Sequence, residues 1–232
     1  MVDFKKMNNG RATHVYCDGG CVGRNPSEEG GTWAYRLVWQ DGDAEDVVVA
    51  EESGLVLAPP GRPVTNNHTE QIAIVKALEA LPDGWSGTVC SDSQIALGRV
   101  FKGWREKNLP RNVADRTRAT VARMGTIKTV LLQGHPTQAD LLSGIGKKRG
   151  LPVSIHNKWC DEACSEESKR FRDIKAKAGI DENMVKIGLG IALPENEVMV
   201  VGRDIEETVC IEEEAAGLAQ DIEAEFGKRE IS

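Results

Sequence analysis

Four acidic residues stand in four separate stretches of this chain, each near the end of a predicted element. Asp18 ends a short apolar strand in THVYCDGG, and Asp92 ends another in TVCSDSQ. Glu70 opens a helix in TNNHTEQIAIVKALEAL, and Asp161 lies in the helix start HNKWCDEAC. Converging carboxylates repel one another without a cation, and their oxygens are the ligands that Mg²⁺ prefers. Two such ions roughly 3.5–4 Å apart promote in-line attack on a phosphodiester, so the set predicts a nuclease.

Charge is divided unevenly along the 232 residues, whose net charge is −7. Residues 173–232 carry 15 acidic and 6 basic side chains, whereas residues 1–172 carry 21 acidic and 23 basic ones. The first part is therefore compatible with a polyanionic partner. Within it, residues 99–128 hold nine basic and two acidic side chains beside Phe101 and Trp104. This cluster suits phosphate-backbone binding, although a pair of solvated amphipathic helices explains it equally well.

Neither a membrane span nor an export signal is predicted. The apolar runs are too short to cross a bilayer, and the N-terminal MVDFKKMNNGRATH lacks an apolar signal core. We therefore expect a cytoplasmic protein without membrane contact, whose six cysteines are free thiols. His156, Cys160 and Cys164 share a helical face, which favours thiols packed in a core over a metal site.

The elements that must position the four acids follow from apolar periodicity. Strands are predicted over 13–18, 31–39, 46–54, 87–91 and 126–133, and helices over 69–81, 93–104, 111–124 and 157–171. Asn66, Asn67 or Thr69 is expected to cap the first helix. The order βββαβααβα predicts an α/β mixed sheet with antiparallel early strands and helices on its faces. Further on, VKIGLGIAL and EVMVVG predict a hairpin, and residues 206–226 an acidic helix.

Residues 12–172 resemble ribonuclease H of the type 1 family. The segments DGGCVGRNP, TNNHTE, SDSQ and NKWCDEA are similar to the four carboxylate motifs of that family, in the same order. The resemblance implies a ribonuclease H-like five-stranded sheet, three strands antiparallel and then parallel, flanked by helices. It also implies a catalytic domain over 1–172 and an acidic C-terminal extension over 173–232. The implied activity is endonucleolytic hydrolysis of the RNA strand of RNA–DNA hybrids, leaving 5′-phosphate and 3′-hydroxyl ends.

The resemblance also implies roles for the acids and for one histidine. Asp18, Glu70, Asp92 and Asp161 would hold two Mg²⁺ ions, with Mn²⁺ as a substitute, Asp92 being the least replaceable ligand. The family places a mobile His after the last strand, which favours His135 as the group that protonates the leaving group or eases product release. An insertion, PTQADLLSGIGKKRGLPVS, separates His135 from Asp161 by 26 positions, so His156 is the competing candidate.

Substrate contacts are expected from polar side chains near the acids. Asn and Gln both donate and accept hydrogen bonds, which suits a ribose 2′-hydroxyl, although turns and caps also favour Asn. The residues implied are Asn25, Asn66, Asn67 and Gln94, with Thr65 for a phosphate of the DNA strand. Gly20 departs from the family, which often has a small hydroxyl residue there.

The segment GRVFKGWREKNLPRN is similar to a shortened form of the basic protrusion of some family members. Trp104, Arg105 and Lys107 are the hybrid contacts that this similarity implies. The inserted run 147–149, Lys-Lys-Arg, is expected to compensate for the shortening.

Two other functions are compatible with the same residues. A DNA-cutting nuclease or junction resolvase shares the fold and the acids, although the Asn pair beside Glu70 favours a ribose. A non-cleaving hybrid-binding module is the second alternative, against which stands the presence of all four carboxylates. The acidic extension is expected to bind a protein partner, shield the basic groove or mediate self-association.

Overall fold

The structure is a computed structural model that describes residues 8–42, 44–58, 61–105, 111–178 and 199–201. Its strands are β1 (His14–Cys21), β2 (Gly30–Trp39), β3 (Val47–Leu57), β4 (Gly87–Ser91), β5 (Ile127–Leu131) and β6 (Met199–Val201). Its helices are α1 (Asn66–Glu79), α2 (Gln94–Phe101), α3 (Arg111–Ala122), α4 (Gln138–Ser143) and α5 (Ile155–Ala178). No helix within these ranges is long and apolar enough to cross a membrane.

The strands form one mixed sheet in the order β5-β4-β1-β2-β3-β6. β1, β2 and β3 are antiparallel neighbours, whereas β4 is parallel to β1 and β5 is parallel to β4. The predicted five-stranded sheet is therefore confirmed. A sixth strand, β6 of the extension, pairs antiparallel with β3 at Leu55–Leu57. The rest of the predicted hairpin and the predicted acidic helix lie outside the described residues.

Helices cover both faces of the sheet and bury two apolar clusters. α1 packs one face with the help of α2 and α3, around large fully buried side chains such as Trp33, Leu37 and Leu78. α5 packs the other face, against Tyr16, Ala34 and Cys90. β2 is buried along nearly its whole length because both layers rest on it. This sandwich holds the ends of the strands at fixed positions relative to α1 and α5.

The start of α1 differs from the sequence prediction. Thr65, in extended conformation, is the N-cap, and its side chain accepts a hydrogen bond from the backbone N–H of His68. The expectation that Asn66, Asn67 or Thr69 caps the helix is therefore wrong, because these residues are already helical. Since the helix begins earlier than predicted, Glu70 lies beyond its first turn, which contains no acidic residue. Attraction to the helix dipole therefore does not account for Glu70.

The inserted segment after β5 is not a plain loop. It contains α4, whose start is a reciprocal capping box between Thr137 and Asp140, and whose end is Gly144 in the left-handed conformation. α5 then begins at Ile155 and continues to Ala178, seven residues past its predicted end. The helix thus crosses the predicted boundary between residues 172 and 173.

Candidate active site

The four acids and one histidine line a single pocket of about 260 Å³. Asp92 directly follows β4 and His135 follows β5, and the ends of parallel strands meet at one edge of a sheet. Asp18 lies on β1, the parallel neighbour of β4. Glu70 approaches from α1 on one face, and Asp161 from α5 on the other. Residues far apart in sequence therefore meet at one end of the sheet.

Two glycines allow this close approach. A Cβ at Gly19 would lie 2.3 Å from the carbonyl carbon of Thr69 and 2.5 Å from the backbone nitrogen of Glu70. Only glycine therefore lets β1 come close enough to α1 to place Asp18 beside Glu70. A Cβ at Gly134 would lie 2.1 Å from Oδ2 of Asp92, so the chain leading to His135 passes directly over that carboxylate.

Asp18 is the most deeply buried of the four acids, with 8% of its surface exposed. Its Oδ1 accepts a hydrogen bond of 2.7 Å from the backbone N–H of Gly19. Burial raises the pKa of Asp18 well above its usual value, and the charges of Asp92, Asp161 and Glu70 raise it further. A buried carboxylate surrounded by three others is electrostatically unfavourable without a counter-charge.

Glu70 is held by Ser93. The Ser93 hydroxyl donates a hydrogen bond to Oε2 of Glu70 and accepts one of 3.1 Å from the backbone N–H of Ala96, so it also caps α2. Burial raises the pKa of Glu70 to about 7; the charge of Asp92 adds to the increase, while the bond from Ser93 and the charge of Arg99 oppose it. Ser93 therefore fixes the orientation of a carboxylate and the start of the neighbouring helix together.

Asp92 carries the clearest sign of a missing partner. Its Oδ1 is buried and has no hydrogen-bond partner. Burial raises the pKa of Asp92 and the charge of Asp161 adds to this, whereas a hydrogen bond from its own backbone N–H and the charges of His135 and Arg149 lower it. A buried acceptor without a donor is costly, and a cation would satisfy it.

The donor set suits a hard divalent ion. Four carboxylates offer only oxygen, which is what Mg²⁺ and Mn²⁺ select. Among the described residues, no group of three or more His, Cys, Asp and Glu side chains lies close enough together to hold a metal ion as positioned.

The two candidate histidines lie in very different places. His135 lines the pocket, its Nδ1 lies 3.0 Å from Oδ2 of Asp161, and 80% of its side chain is exposed. Its φ of 47° is left-handed, which is uncommon outside glycine. His156 is 4% exposed, does not line the pocket, and places its Nε2 3.0 Å from Oδ2 of Asp46.

Of the predicted substrate residues near the acids, Asn66 lines the pocket. Its Oδ1 accepts a hydrogen bond of 3.1 Å from the backbone N–H of Cys21, and its own N–H donates to Oδ1 of Asn25 at 3.3 Å. These two bonds tie the loop after β1 to the start of α1. Asn67, Gln94 and Thr65 lie next to ligand-bearing elements but do not line the pocket.

The shortened basic segment is described only in part. Trp104 and Arg105 are exposed, and the indole of Trp104 lies over Gly98, where a Cβ would approach the ring to 2.3 Å. The missing side chain of Gly98 therefore makes room for the tryptophan. Lys107 lies outside the described residues.

Comparison with known proteins assigns most of the chain to one family. The RNase H family model matches residues 10–169. The chain belongs to the ribonuclease H family. Ribonuclease H of Syntrophus aciditrophicus is 36% identical over 178 residues, covering 71% of this chain and 84% of that protein. Ribonuclease H of Caldanaerobacter subterraneus is 27% identical over 163 residues, covering 70% of this chain and 95% of that protein.

Solved ribonuclease H structures are also similar to this chain. RNase H1 from the archaeon Halobacterium salinarum is 24% identical, with a TM-score of 0.43, over 68% of this chain and 97% of that one. LC11-RNase H1, solved in complex with an RNA/DNA hybrid, is 18% identical, with a TM-score of 0.45, over 68% of this chain and 96% of that one. By family, the chain is a ribonuclease H hydrolase.

Several residues that line this pocket or hold one of its acids were missed by sequence reasoning. Ser93 stands in the SDSQ motif itself, and its position directly before α2 was a usable sign of a cap. Ser165, Ser168 and Arg172 line the pocket from α5. They follow Asp161 by 4, 7 and 11 residues, a spacing that places them on the same helical face. Arg172 lies beyond the segment that the family model matches.

Proposed function

We propose that this protein hydrolyses the RNA strand of RNA–DNA hybrids, as an endonuclease, with two divalent metal ions. The observation that carries the proposal is the meeting of Asp18, Glu70, Asp92 and Asp161 in one pocket, with a buried Asp92 oxygen that lacks a partner. Membership of the ribonuclease H family and the oxygen-only donor set support the same function.

The four carboxylates are the residues that would hold the ions. When bound, Mg²⁺ or Mn²⁺ supplies activation of the attacking water and charge stabilisation of the leaving 3′ oxygen, which gives 5′-phosphate and 3′-hydroxyl ends. Asp18 and Asp92 are fixed by strands, and Glu70 by its bond from Ser93. This rigidity preorganises the donors before substrate arrives.

His135 and Asn66 have proposed roles beside the acids. With Nδ1 of His135 directed to Asp161, Nε2 remains for exchange of a proton with the leaving oxygen, at a side chain that is 80% exposed. The amide of Asn66 keeps its NH₂ group as a donor while its oxygen accepts from Cys21, and a 2′-hydroxyl is a suitable acceptor. This contact favours ribose over deoxyribose, and so favours the RNA strand over DNA junctions.

Cleavage of an end-labelled RNA–DNA hybrid in Mg²⁺ tests the proposal. Single-stranded RNA, duplex RNA, duplex DNA and a four-way DNA junction are assayed beside it. We expect cutting of the RNA strand of the hybrid alone. The products are expected to be extended by a polymerase from their 3′-hydroxyl and to lose a 5′-phosphate to phosphatase.

Glu70→Gln is expected to abolish the cleavage, because it keeps the shape of the side chain and removes one charged ligand. Glu166→Gln is the matched control, since Glu166 is exposed on α5 and outside the pocket; it should cleave at the wild-type rate. Cutting of the junction instead of the hybrid would establish the DNA-nuclease alternative. Tight hybrid binding without turnover in Mg²⁺ or Mn²⁺ would establish the binding module.

The acidic extension and the cytoplasmic location stay predictions. The division into residues 1–172 and 173–232 does too, because α5 crosses it and β6 pairs with β3. A partner or self-association through the extension is testable by light scattering of the chain with and without residues 202–232.

A further inference from the structure

The inserted segment carries three consecutive basic residues and is attached at the end of β5. We define residues 136–153 as the basic lobe, after Lys147, Lys148 and Arg149, all three of which are exposed. None of them makes an ion pair among the described residues. Their charges therefore remain available to an anionic ligand.

The lobe is internally ordered rather than a loose loop. Oδ2 of Asp140 accepts from Thr137 in the capping box, and Oδ1 of Asp140 accepts a hydrogen bond of 2.9 Å from the backbone N–H of Lys147. Ile145 and Pro152 form an antiparallel bridge, and the N–H of Gly146 donates to Leu151 at 2.9 Å. A surface fixed in this way binds a ligand with less loss of conformational entropy.

Gln133 attaches the lobe to the end of β5. Its buried side chain accepts a hydrogen bond of 3.0 Å from the backbone N–H of Arg149, and its own N–H donates to Pro152 at 2.9 Å. A Cβ at Gly146 would lie 2.1 Å from Cδ of Gln133, so the lobe packs closely over this side chain. Gln133 precedes His135 by two residues, which places the base of the lobe next to the active-site histidine.

Arg149 is the member of the basic run that is tied directly to the end of β5, because its backbone N–H donates to the side chain of Gln133. Its side chain forms no ion pair with an acid among the described contacts. The guanidinium therefore keeps its hydrogen-bond donors for another partner.

We propose that the basic lobe binds a backbone phosphate of the nucleic-acid substrate next to the cleavage site, with Arg149 as its main contact. The proposal rests on the proposed function for its substrate. A guanidinium binds phosphate oxygens in a bidentate manner, and it is a positioning group here, not a metal ligand. The lobe thereby adds a phosphate contact to the hybrid contacts that the sequence implies for the shortened segment that carries Trp104.

The salt dependence of hybrid binding tests this contact. Binding is measured in Mg²⁺ with the non-cleaving Glu70→Gln protein as background, alone and combined with Arg149→Ala. Loss of one phosphate contact should reduce the slope of log Kd against log salt by about 1, and weaken binding on the order of tenfold near 0.1 M salt. Arg149→Lys keeps the charge and should retain the slope.

Arg11→Ala is the matched control, because Arg11 is an exposed arginine just before β1, at the opposite end of the strand from Asp18. It should leave both Kd and slope unchanged. The backbone bond from Arg149 to Gln133 survives the alanine change, and unchanged thermal melting confirms the fold. Equal Kd and slope for Arg149→Ala and its background, or an equal loss in Arg11→Ala, would overturn the proposal.

Hybrids with one neutral methylphosphonate linkage locate the phosphate. At the contacted position, neutralisation should weaken binding of the background protein and have no further effect on Arg149→Ala. If the neutral linkage and Arg149→Ala weaken binding additively at every position of the linkage, the proposed contact would also be overturned. If the wild-type chain fails to cut hybrids, the proposed function fails, whereas failure of this binding series alone removes only the lobe contact.

Discussion

The two ends of the sheet each hold a histidine 3.0 Å from an aspartate, yet the two pairs differ in almost everything else. At the active-site end, His135 is 80% exposed and reaches an aspartate that lines the pocket. At the opposite end, His156 is 4% exposed, packs its ring 5.0 Å from Tyr16, and reaches Asp46. Distance to a carboxylate therefore does not identify a catalytic histidine, whereas exposure and the neighbouring charges separate the two.

The carboxylates at the two ends are perturbed in opposite directions. Burial and mutual repulsion raise the pKa of Asp18, Glu70 and Asp92. Burial also acts to raise the pKa of Asp46, but hydrogen bonds from His156 and Gln40 outweigh it and bring that pKa below its usual value. One end of the sheet therefore holds carboxylates whose charged forms are disfavoured, whereas the carboxylate of Asp46 at the other end is stabilised by its own partners.

The largest effect is expected from neutralising an aspartate at each end in turn. Asp92→Asn removes a ligand whose oxygen already lacks a partner, and should lower kcat by about a thousandfold, about 4 kcal/mol in barrier height. Asp46→Asn should leave kcat within about twofold of the wild-type value. Single-turnover cleavage of a hybrid measures both. A large loss in Asp46→Asn would remove the functional distinction between the two ends.

His135→Ala should have the next largest effect, because it removes the proposed proton-exchange group. We expect kcat to fall by about a hundredfold, with the free energy of unfolding unchanged within about 0.5 kcal/mol, since the side chain is exposed. Cleavage rates and urea unfolding of the same preparation measure the two quantities. Equal losses of activity and stability would indicate a structural role instead.

His156→Ala should reverse that pattern. The change leaves a cavity beside Tyr16 and takes away the partner of Asp46, so we expect a loss of about 2–4 kcal/mol in the free energy of unfolding. Below the denaturation temperature, kcat should stay near the wild-type value. His156→Gln is the milder companion, expected to recover part of the stability through its amide. An inactive but fully stable His156→Ala protein would contradict this assignment.

The sheet was predictable because its strands are short apolar runs separated by glycine and turn residues. β4 has its predicted bounds, 87–91, and the apolar side chains of α1 are buried as expected, although His68, Thr69 and Gln71 are buried with them. Periodicity cannot detect the cap of α1, because the Thr65 side chain caps the helix by accepting a hydrogen bond from the backbone of His68, which leaves no mark on the apolar pattern. Nor does it detect α4, whose six residues are too few to show a helical period.

The identity of the four acids was readable from their motifs, but their physical coupling was not. Ser93 orients Glu70 across 23 positions of sequence, and Gly19 is required because α1 packs directly on it. Both effects depend on contacts between elements that only the folded chain creates. The cysteines give a second example, since Cys160 and Cys164 are free thiols as expected. Their thiols donate hydrogen bonds to the backbone oxygens of Tyr16 and Asp18, and the sequence does not reveal these partners.

The smallest predicted effect is a dependence of metal-free stability on pH. Because the pKa of Glu70 is raised from 4.5 to about 7, the folded state binds a proton more tightly than the unfolded state between these values. The free energy of unfolding should therefore decrease as pH rises from about 4.5 to 7, by about 1–3 kcal/mol. Saturating Mg²⁺ should diminish this decrease, since the ion binds the ionised carboxylates and displaces protons. Urea unfolding at several pH values, in EDTA and in Mg²⁺, measures both.

Glu70→Gln should flatten the metal-free curve and Asp46→Asn should not, because the lowered pKa of Asp46 affects stability only in more acidic solution. A metal-free curve that rises over this range would show that the acids of the pocket are not under repulsion, and the case for a cation between them would fail with it.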